Sequence, residues 1–170
     1  GDANELQVFF GYEANYGGTE FLIYGVDKQW LKMHPQIKDA TIEEQYRMIH
    51  EAGGMVIQAH PFRKEDYIPE IRLFPEWSDG AEGINATHSC HLSKSHNNPA
   101  WDDMAIRYSH QNGLPMTAGS DVHTTLIFGG GVAFKRKLTS IQDYCNAILS
   151  DEDYLLTNGD EWFTKTGEPL

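Results

Sequence analysis

The sequence is poor in cysteine and in basic residues, and it has no long apolar run. Its two cysteines, Cys90 and Cys145, are too few for a disulfide framework and favour a reducing cytoplasm. No apolar stretch approaches the roughly 20 residues of a membrane span, so we expect no membrane partner. Lysine and arginine number 13 against 25 acidic residues, and the net charge of −12 argues against binding to nucleic acid or to an anionic membrane surface.

What the 170 residues do have is the length of one domain and alternating strand and helix patterns. We expect a single α/β domain over residues 1–158 and a polar C-terminal tail over 159–170. The clearest helix signal is 41–52, where Thr41 and Glu44 have the spacing of a capping box. Strand patterns flank this helix and favour parallel sheet construction. The predicted strands are 6–12, 20–26, 54–58, 80–85, 115–118, 131–135 and 154–157, and the other predicted helices are 27–33, 68–74, 97–112 and 140–149.

Two short motifs follow apolar runs that are typical of buried strands. They are Ala-His-Pro at residues 59–61 and Gly-Ser-Asp-Val-His at residues 119–123. An α/β scaffold usually places its chemistry where strands end and loops begin. Imidazole and carboxylate donors suit Zn²⁺, Mn²⁺ or Fe²⁺, so His60, Asp121 and His123 are candidate metal ligands. Taken singly, each also fits a structural role, as a hydrogen-bonded histidine, a turn cap or a surface side chain.

Four more residues are candidates for the same site. Glu13 follows another strand pattern and could add a carboxylate, although an exposed acid near a turn is the ordinary interpretation. Arg63 could hold an anionic substrate group, because a guanidinium forks onto phosphate. Asn85 ends a strand pattern, and His88 begins a histidine-rich stretch that could line the pocket. The spacing in that stretch does not match a zinc finger.

Together these motifs resemble the PHP (polymerase and histidinol phosphatase) superfamily. Residues 51–61 are similar to its third motif and residues 119–123 to its fourth. The segment 79–85 resembles the family strand that carries a glutamate and ends in asparagine, and residues 11–13 resemble the family's Gly-x-Glu.

The resemblance implies a partial, distorted (β/α)7 TIM-like barrel with divalent metal ions, Zn, Mn or Fe, at the carboxyl ends of its strands. It also implies hydrolysis of a small phosphorylated metabolite by metal-activated hydroxide. Carried over residue by residue, Glu13 bridges two metals, His60 ligates one ion, and Asp121 and His123 complete the cluster. These four are therefore the expected catalytic residues, with Arg63, Asn85 and His88 expected to bind substrate.

Some features of the family are absent from this sequence. An Asp-x-His-x-His and a second histidine segment are missing upstream of Glu13, and residues 21–23 are apolar where a further histidine often stands. We therefore expect weak or no metal binding by this chain alone, which is either a fragment of a longer protein or a degenerate member. A sheet without its first strands has an open edge, which an N-terminal segment or self-association would cover.

Two functions follow as hypotheses. The first is a PHP-type phosphoesterase, or the C-terminal portion of one. The second is a non-catalytic PHP-like remnant with a role in binding or assembly. A polymerase-associated module is disfavoured by the acidic charge, and an unrelated metal-dependent amidohydrolase stays open because a fold does not settle a reaction.

Overall fold

The computed structural model describes residues 6–126 and 129–170; residues 1–5 and 127–128 of the predicted domain lie outside this description. Short strands and helices are interspersed along the chain. The strands are β1 (Gly11–Asn15), β2 (Glu20–Tyr24), β3 (Met55–Gln58), β4 (Gly80–Asn85), β5 (Met116–Gly119), β6 (Gly130–Phe134), β7 (Tyr154–Asn158) and β8 (Trp162–Thr164), and the α-helices are α1 (Lys28–Met33), α2 (Ile42–Glu51), α3 (Ala86–Ser89), α4 (Ala100–Asn112) and α5 (Ile141–Leu149). Among the described residues no helix has the length and apolar character that crossing a bilayer requires.

The strands form two small sheets, and over residues 6–126 and 129–170 neither sheet closes into a barrel. The first sheet has the order β1-β2-β3-β4-β5 and the second has the order β6-β7-β8. Only β3, β4 and β5 run parallel, whereas β1, β2 and β3 pair in antiparallel fashion. The predicted partial, distorted (β/α)7 TIM-like barrel is therefore wrong, although the content is mixed α and β.

Local connections explain why no barrel forms. The turn at 15–18 is closed by a hydrogen bond from the Tyr16 N–H to the Thr19 carbonyl (2.7 Å), so β1 and β2 form a hairpin rather than a crossover. The chain between β2 and β3 returns to the end of β2 at which it left, which pairs Tyr24 with Met55. The parallel strand–helix–strand unit predicted here is thus antiparallel. After β5 the chain enters the second sheet instead of adding a parallel strand.

An apolar cluster lies on each face of the five-stranded sheet. Successive side chains of a strand point to opposite faces, so Val56 joins one cluster while Met55 and Ile57 join the other. One cluster includes side chains from α2 and the turn before it, and the other includes side chains from α5 and β7. This double-sided burial explains why every residue of β3 and β4 is buried.

The helix expectations are largely confirmed, with one exception. Thr41 accepts a hydrogen bond from the Glu44 N–H, and the Glu44 side chain accepts one from the Thr41 N–H, which completes the predicted capping box of α2. The predicted helix at 68–74 is wrong, because that segment is irregular. The buried Gln58 side chain binds its backbone instead, donating to the Arg72 carbonyl (2.8 Å) and accepting from the Phe74 N–H (3.1 Å).

The two ends of the sheet system differ from each other. Residues 159–170, expected to be a polar tail, include β8, which pairs with β7. At the other end β1 pairs only with β2 in the part of the chain that the structure describes. The idea that an N-terminal segment or self-association covers this open edge stays a prediction.

Candidate metal centre

The carboxyl ends of three parallel strands place the predicted motifs next to one another. His60 lies two residues after β3, Asn85 ends β4, and Asp121 lies two residues after β5. His60 and Asp121 have positive φ angles of 26° and 46°. Such values are uncommon for residues other than glycine and occur often at functional sites.

His60 lies between two carboxylates. Its Nε2 is 3.1 Å from Oε2 of Glu20 and 3.4 Å from Oε1 of Glu13. Burial disfavours the imidazolium, but the hydrogen bonds that His60 donates to Glu13 and Glu20 outweigh it and raise the pKa of His60 to about 9. The hydrogen bond from His60 lowers the pKa of Glu20 in turn. At neutral pH the metal-free centre therefore holds a charged histidine between two carboxylates.

Glu20 is the site residue that the sequence analysis missed. It begins β2, and its carbonyl accepts a hydrogen bond from the Ala59 N–H (2.9 Å), which fixes it beside His60. In the hairpin Glu13 pairs with Leu22. Side chains two apart on a strand share a face, so Glu13 and Glu20 point to the same side. The register of the hairpin was the signal that could have revealed Glu20.

A third carboxylate, that of Glu82, supports the backbone of His60. Glu82 is 4% exposed, and its Oε2 accepts hydrogen bonds from the His60 N–H and the Asn85 side-chain amide, both at 3.0 Å. Burial raises the pKa of Glu82. A Cβ on Gly119 would lie 2.5 Å from Oε1 of Glu82, so a larger residue there would force the Glu82 carboxylate to shift. Asn85 is thus a buried support of His60 and does not line the cleft.

Arg63 is buried and bound on several sides. Its Nη2 donates to Asp121 Oδ2 (2.6 Å) and to Thr87 Oγ1 (3.1 Å), and its Nε donates to His88 Nε2 (3.1 Å). Burial opposes ionisation of Asp121, but the charge and hydrogen bond of Arg63 outweigh this effect and lower its pKa. Arg63 thereby offsets the charge of Asp121.

His88 lies behind Arg63 and is also buried. A guanidinium cannot accept a hydrogen bond, so His88 Nε2 is the acceptor and the ring proton is on Nδ1. That Nδ1 is 2.7 Å from Oδ1 of Asp102. Burial, followed by the charge of Arg63, lowers the pKa of His88 to about 3, which agrees with a neutral ring. Burial raises the pKa of Asp102 to about 7.

A cleft of about 240 Å³ opens above these groups. Of the predicted residues, Glu13, His60, Arg63, Asp121 and His123 line it, and His88 does not. His123 is 80% exposed, and its Nδ1 lies 3.0 Å from the Asp121 carbonyl oxygen. The four predicted metal ligands, Glu13, His60, Asp121 and His123, therefore all line one cleft, whereas Asn85 and His88 do not.

The donor atoms of Glu13, Glu20 and His60 all lie within 4.8 Å of one another. Two carboxylate oxygens and one imidazole nitrogen are a donor set that fits Zn²⁺, Mn²⁺ or Fe²⁺. Among the described residues Asp121 and His123 do not join this group. A second group, Cys90, His91 and Asp160, meets the same distance limit elsewhere in the fold.

A comparison with known proteins and protein families gives one family match. Residues 99–152 match the model of a family described as PHP-associated. No curated protein and no solved structure matches the chain. The matched segment contains the motif at 119–123 and α4, and it does not reach Glu13, Glu20 or His60. The match bears out the resemblance read from the motifs, and over residues 99–152 it is consistent with the C-terminal portion of a PHP superfamily protein.

Proposed function

We propose that this chain forms the metal-binding cleft of a PHP-type phosphoesterase that hydrolyses a small phosphorylated metabolite. One observation carries the proposal: Glu13, Glu20 and His60 bring three metal donors together at the mouth of a cleft that also contains a buried arginine. The volume of about 240 Å³ favours a small substrate.

A divalent ion at these donors would lower the pKa of a bound water and polarise a phosphoryl oxygen. Glu13 and Glu20 would offer carboxylate oxygens, and His60 would offer Nε2, the atom that faces both carboxylates. His60 must first lose its proton, since only a neutral imidazole binds metal. Glu82 accepts a hydrogen bond from the His60 backbone N–H and so fixes the position of this residue, while its ring contacts Glu13 and Glu20.

Hydrolysis of p-nitrophenyl phosphate with added Mn²⁺, Zn²⁺ or Fe²⁺ tests the proposal. Because Glu20 adds a third donor that the sequence motifs did not include, we expect metal-dependent turnover by the chain in place of weak or absent metal binding. We expect a fall of about 100-fold or more in His60→Ala. His110→Ala is the matched control, because this histidine of α4 is exposed and its side chain hydrogen-bonds the Thr166 carbonyl oxygen (2.9 Å), away from the cleft residues. Equal rates for the two variants would contradict the proposal.

The second candidate function is a PHP-like remnant that binds a ligand or a partner without catalysis. It is favoured by the pairing of Arg63 with Asp121, which leaves only three donors together among the described residues. Binding of an ion that requires His60, without turnover of any phosphoester, would support this candidate. For both functions we propose a cytoplasmic location, which the two free cysteines favour.

A further inference from the structure

The buried guanidinium of Arg63 has the surroundings of a bound cation. It contacts a carboxylate oxygen of Asp121, a hydroxyl oxygen of Thr87 and the lone pair of a neutral imidazole, His88. Oxygen and nitrogen lone pairs of these kinds are also metal donors. The Arg63 side chain is 4% exposed, so its charge depends on these partners rather than on water.

The Asp102 carboxylate, which faces the other ring nitrogen of His88, strengthens the comparison with a metal site. Histidines that bind metals usually donate their other ring N–H to a carboxylate, which fixes the tautomer and the ring orientation. His88 has this arrangement, because its Nδ1–H faces Asp102 and its Nε2 faces Arg63. Asp102 is held in turn by the Ser89 hydroxyl (2.8 Å). The ring of His88, oriented by Asp102, thus directs the lone pair of its Nε2 at the guanidinium of Arg63.

We propose that Arg63 occupies a second cation position in the cleft, so that the centre takes one divalent ion instead of two. This inference rests on the proposed function, because the first position is the one formed by Glu13, Glu20 and His60. The second position consists of Asp121 Oδ2, His88 Nε2 and Thr87 Oγ1. The permanent charge of arginine fills it at every working pH, since a guanidinium does not deprotonate in proteins.

Removal of the guanidinium should convert this position into a metal site. In Arg63→Ala the Asp121 carboxylate is left without its cation and the His88 lone pair without its donor. An ion there needs donors at about 2.0–2.2 Å, so the three groups must close in from their present distances of 2.6 to 3.1 Å to the guanidinium. The exposed imidazole of His123 and water can complete its coordination.

Equilibrium dialysis with Co²⁺, followed by metal analysis and visible spectroscopy, measures the number of ions. We expect about one ion per chain in the wild type and about two in Arg63→Ala. Arg63→Lys keeps a cation in place and should stay at about one. Arg107→Ala, which removes an exposed arginine of α4, is the matched control and should also bind about one. An unchanged count in a folded Arg63→Ala would overturn the inference.

Asp121→Asn gives a test that does not depend on the folding of Arg63→Ala. If Arg63 holds Asp121, this variant should keep about one ion with a dissociation constant within about threefold of the wild type, whereas His60→Ala should lose the ion. Loss of the ion in Asp121→Asn would make Asp121 its ligand and overturn the inference. In the double variant Arg63→Ala/Asp121→Asn the count should return to about one.

The number of Co²⁺ ions bound per chain also distinguishes the proposed metal centre from the proposed role of Arg63. A wild type that binds no Co²⁺ contradicts the proposed metal centre, yet a gain of about one ion in Arg63→Ala would still support the role of Arg63. A wild type with about one ion and no gain in that variant contradicts the role of Arg63 alone.

Discussion

At the scale of single residues, the charge of His60 is the most consequential feature of the site. The ring is buried, yet Glu13 and Glu20 keep it protonated at neutral pH. A raised pKa means that the folded state binds the proton more tightly than the unfolded state does. The imidazolium therefore stabilises the metal-free protein below about pH 6.5, and this stabilisation is lost as the pH rises through about 9.

The expected result is a loss of about 3 kcal/mol of stability from His60 between pH 6.5 and 9.5, because the pKa moves from 6.5 to about 9. Urea unfolding in the presence of EDTA measures it. His60→Gln is the reference, since glutamine cannot take up a proton and should show a flatter pH dependence. Parallel pH profiles for the two proteins would contradict the assigned charge.

Several site residues could be predicted from the sequence because their neighbours carry a local signal. His60 and Asp121 follow apolar runs that end in short loops, and such runs are visible in the sequence alone. The roles of Arg63 and His88 could not be predicted in this way. That Arg63 binds substrate phosphate stays a prediction, and its contact with Asp121, 58 positions away, is seen only in the folded chain.

At the scale of secondary-structure elements, α2 has the strongest local signal. Its capping box satisfies backbone N–H groups that would otherwise lack partners at the start of the helix. The helix also buries Gln45 and Ile49 against the sheet. Helix propensity, capping and packing therefore agree for α2, which is why this helix was predicted correctly. The backbone of the segment at 68–74 is instead hydrogen-bonded by a side chain distant in sequence, Gln58.

Thr41→Ala should destabilise the protein by about 1 kcal/mol, because the Glu44 N–H loses its acceptor and the reciprocal bond is weakened. Urea unfolding at pH 7 checks this value. Thr41→Ser keeps the hydroxyl and should differ little from the wild type. The capping account fails if the serine and alanine variants lose equal stability.

At the scale of the whole molecule, the arrangement of the sheets is what the sequence did not reveal. Strand patterns define where strands lie, but parallel and antiparallel pairing depend on how each connection returns to the sheet. The expectation of a barrel came from the family resemblance, because the strand patterns carry no information on how the strands pair. The structure instead joins a mixed sheet to a small antiparallel one, and contacts of β5 with β6, and of β4 and β5 with β7, link them.

Gly130, where β6 approaches Gly119 of β5, should be important for the close packing of the two sheets. A Cβ on Gly130 would collide with the backbone carbonyl of Gly119 and with the Ala86 side chain, whereas a Cβ on Gly131 would have nothing within 4 Å. Gly130→Ala should therefore cost about 1–3 kcal/mol in urea unfolding, and Gly131→Ala should stay within about 0.5 kcal/mol of the wild type. Because Gly119 also lies against Glu82, which supports His60, Gly130→Ala should weaken Co²⁺ binding as well. Equal stability of the two alanine variants would show that the sheets do not depend on this close approach.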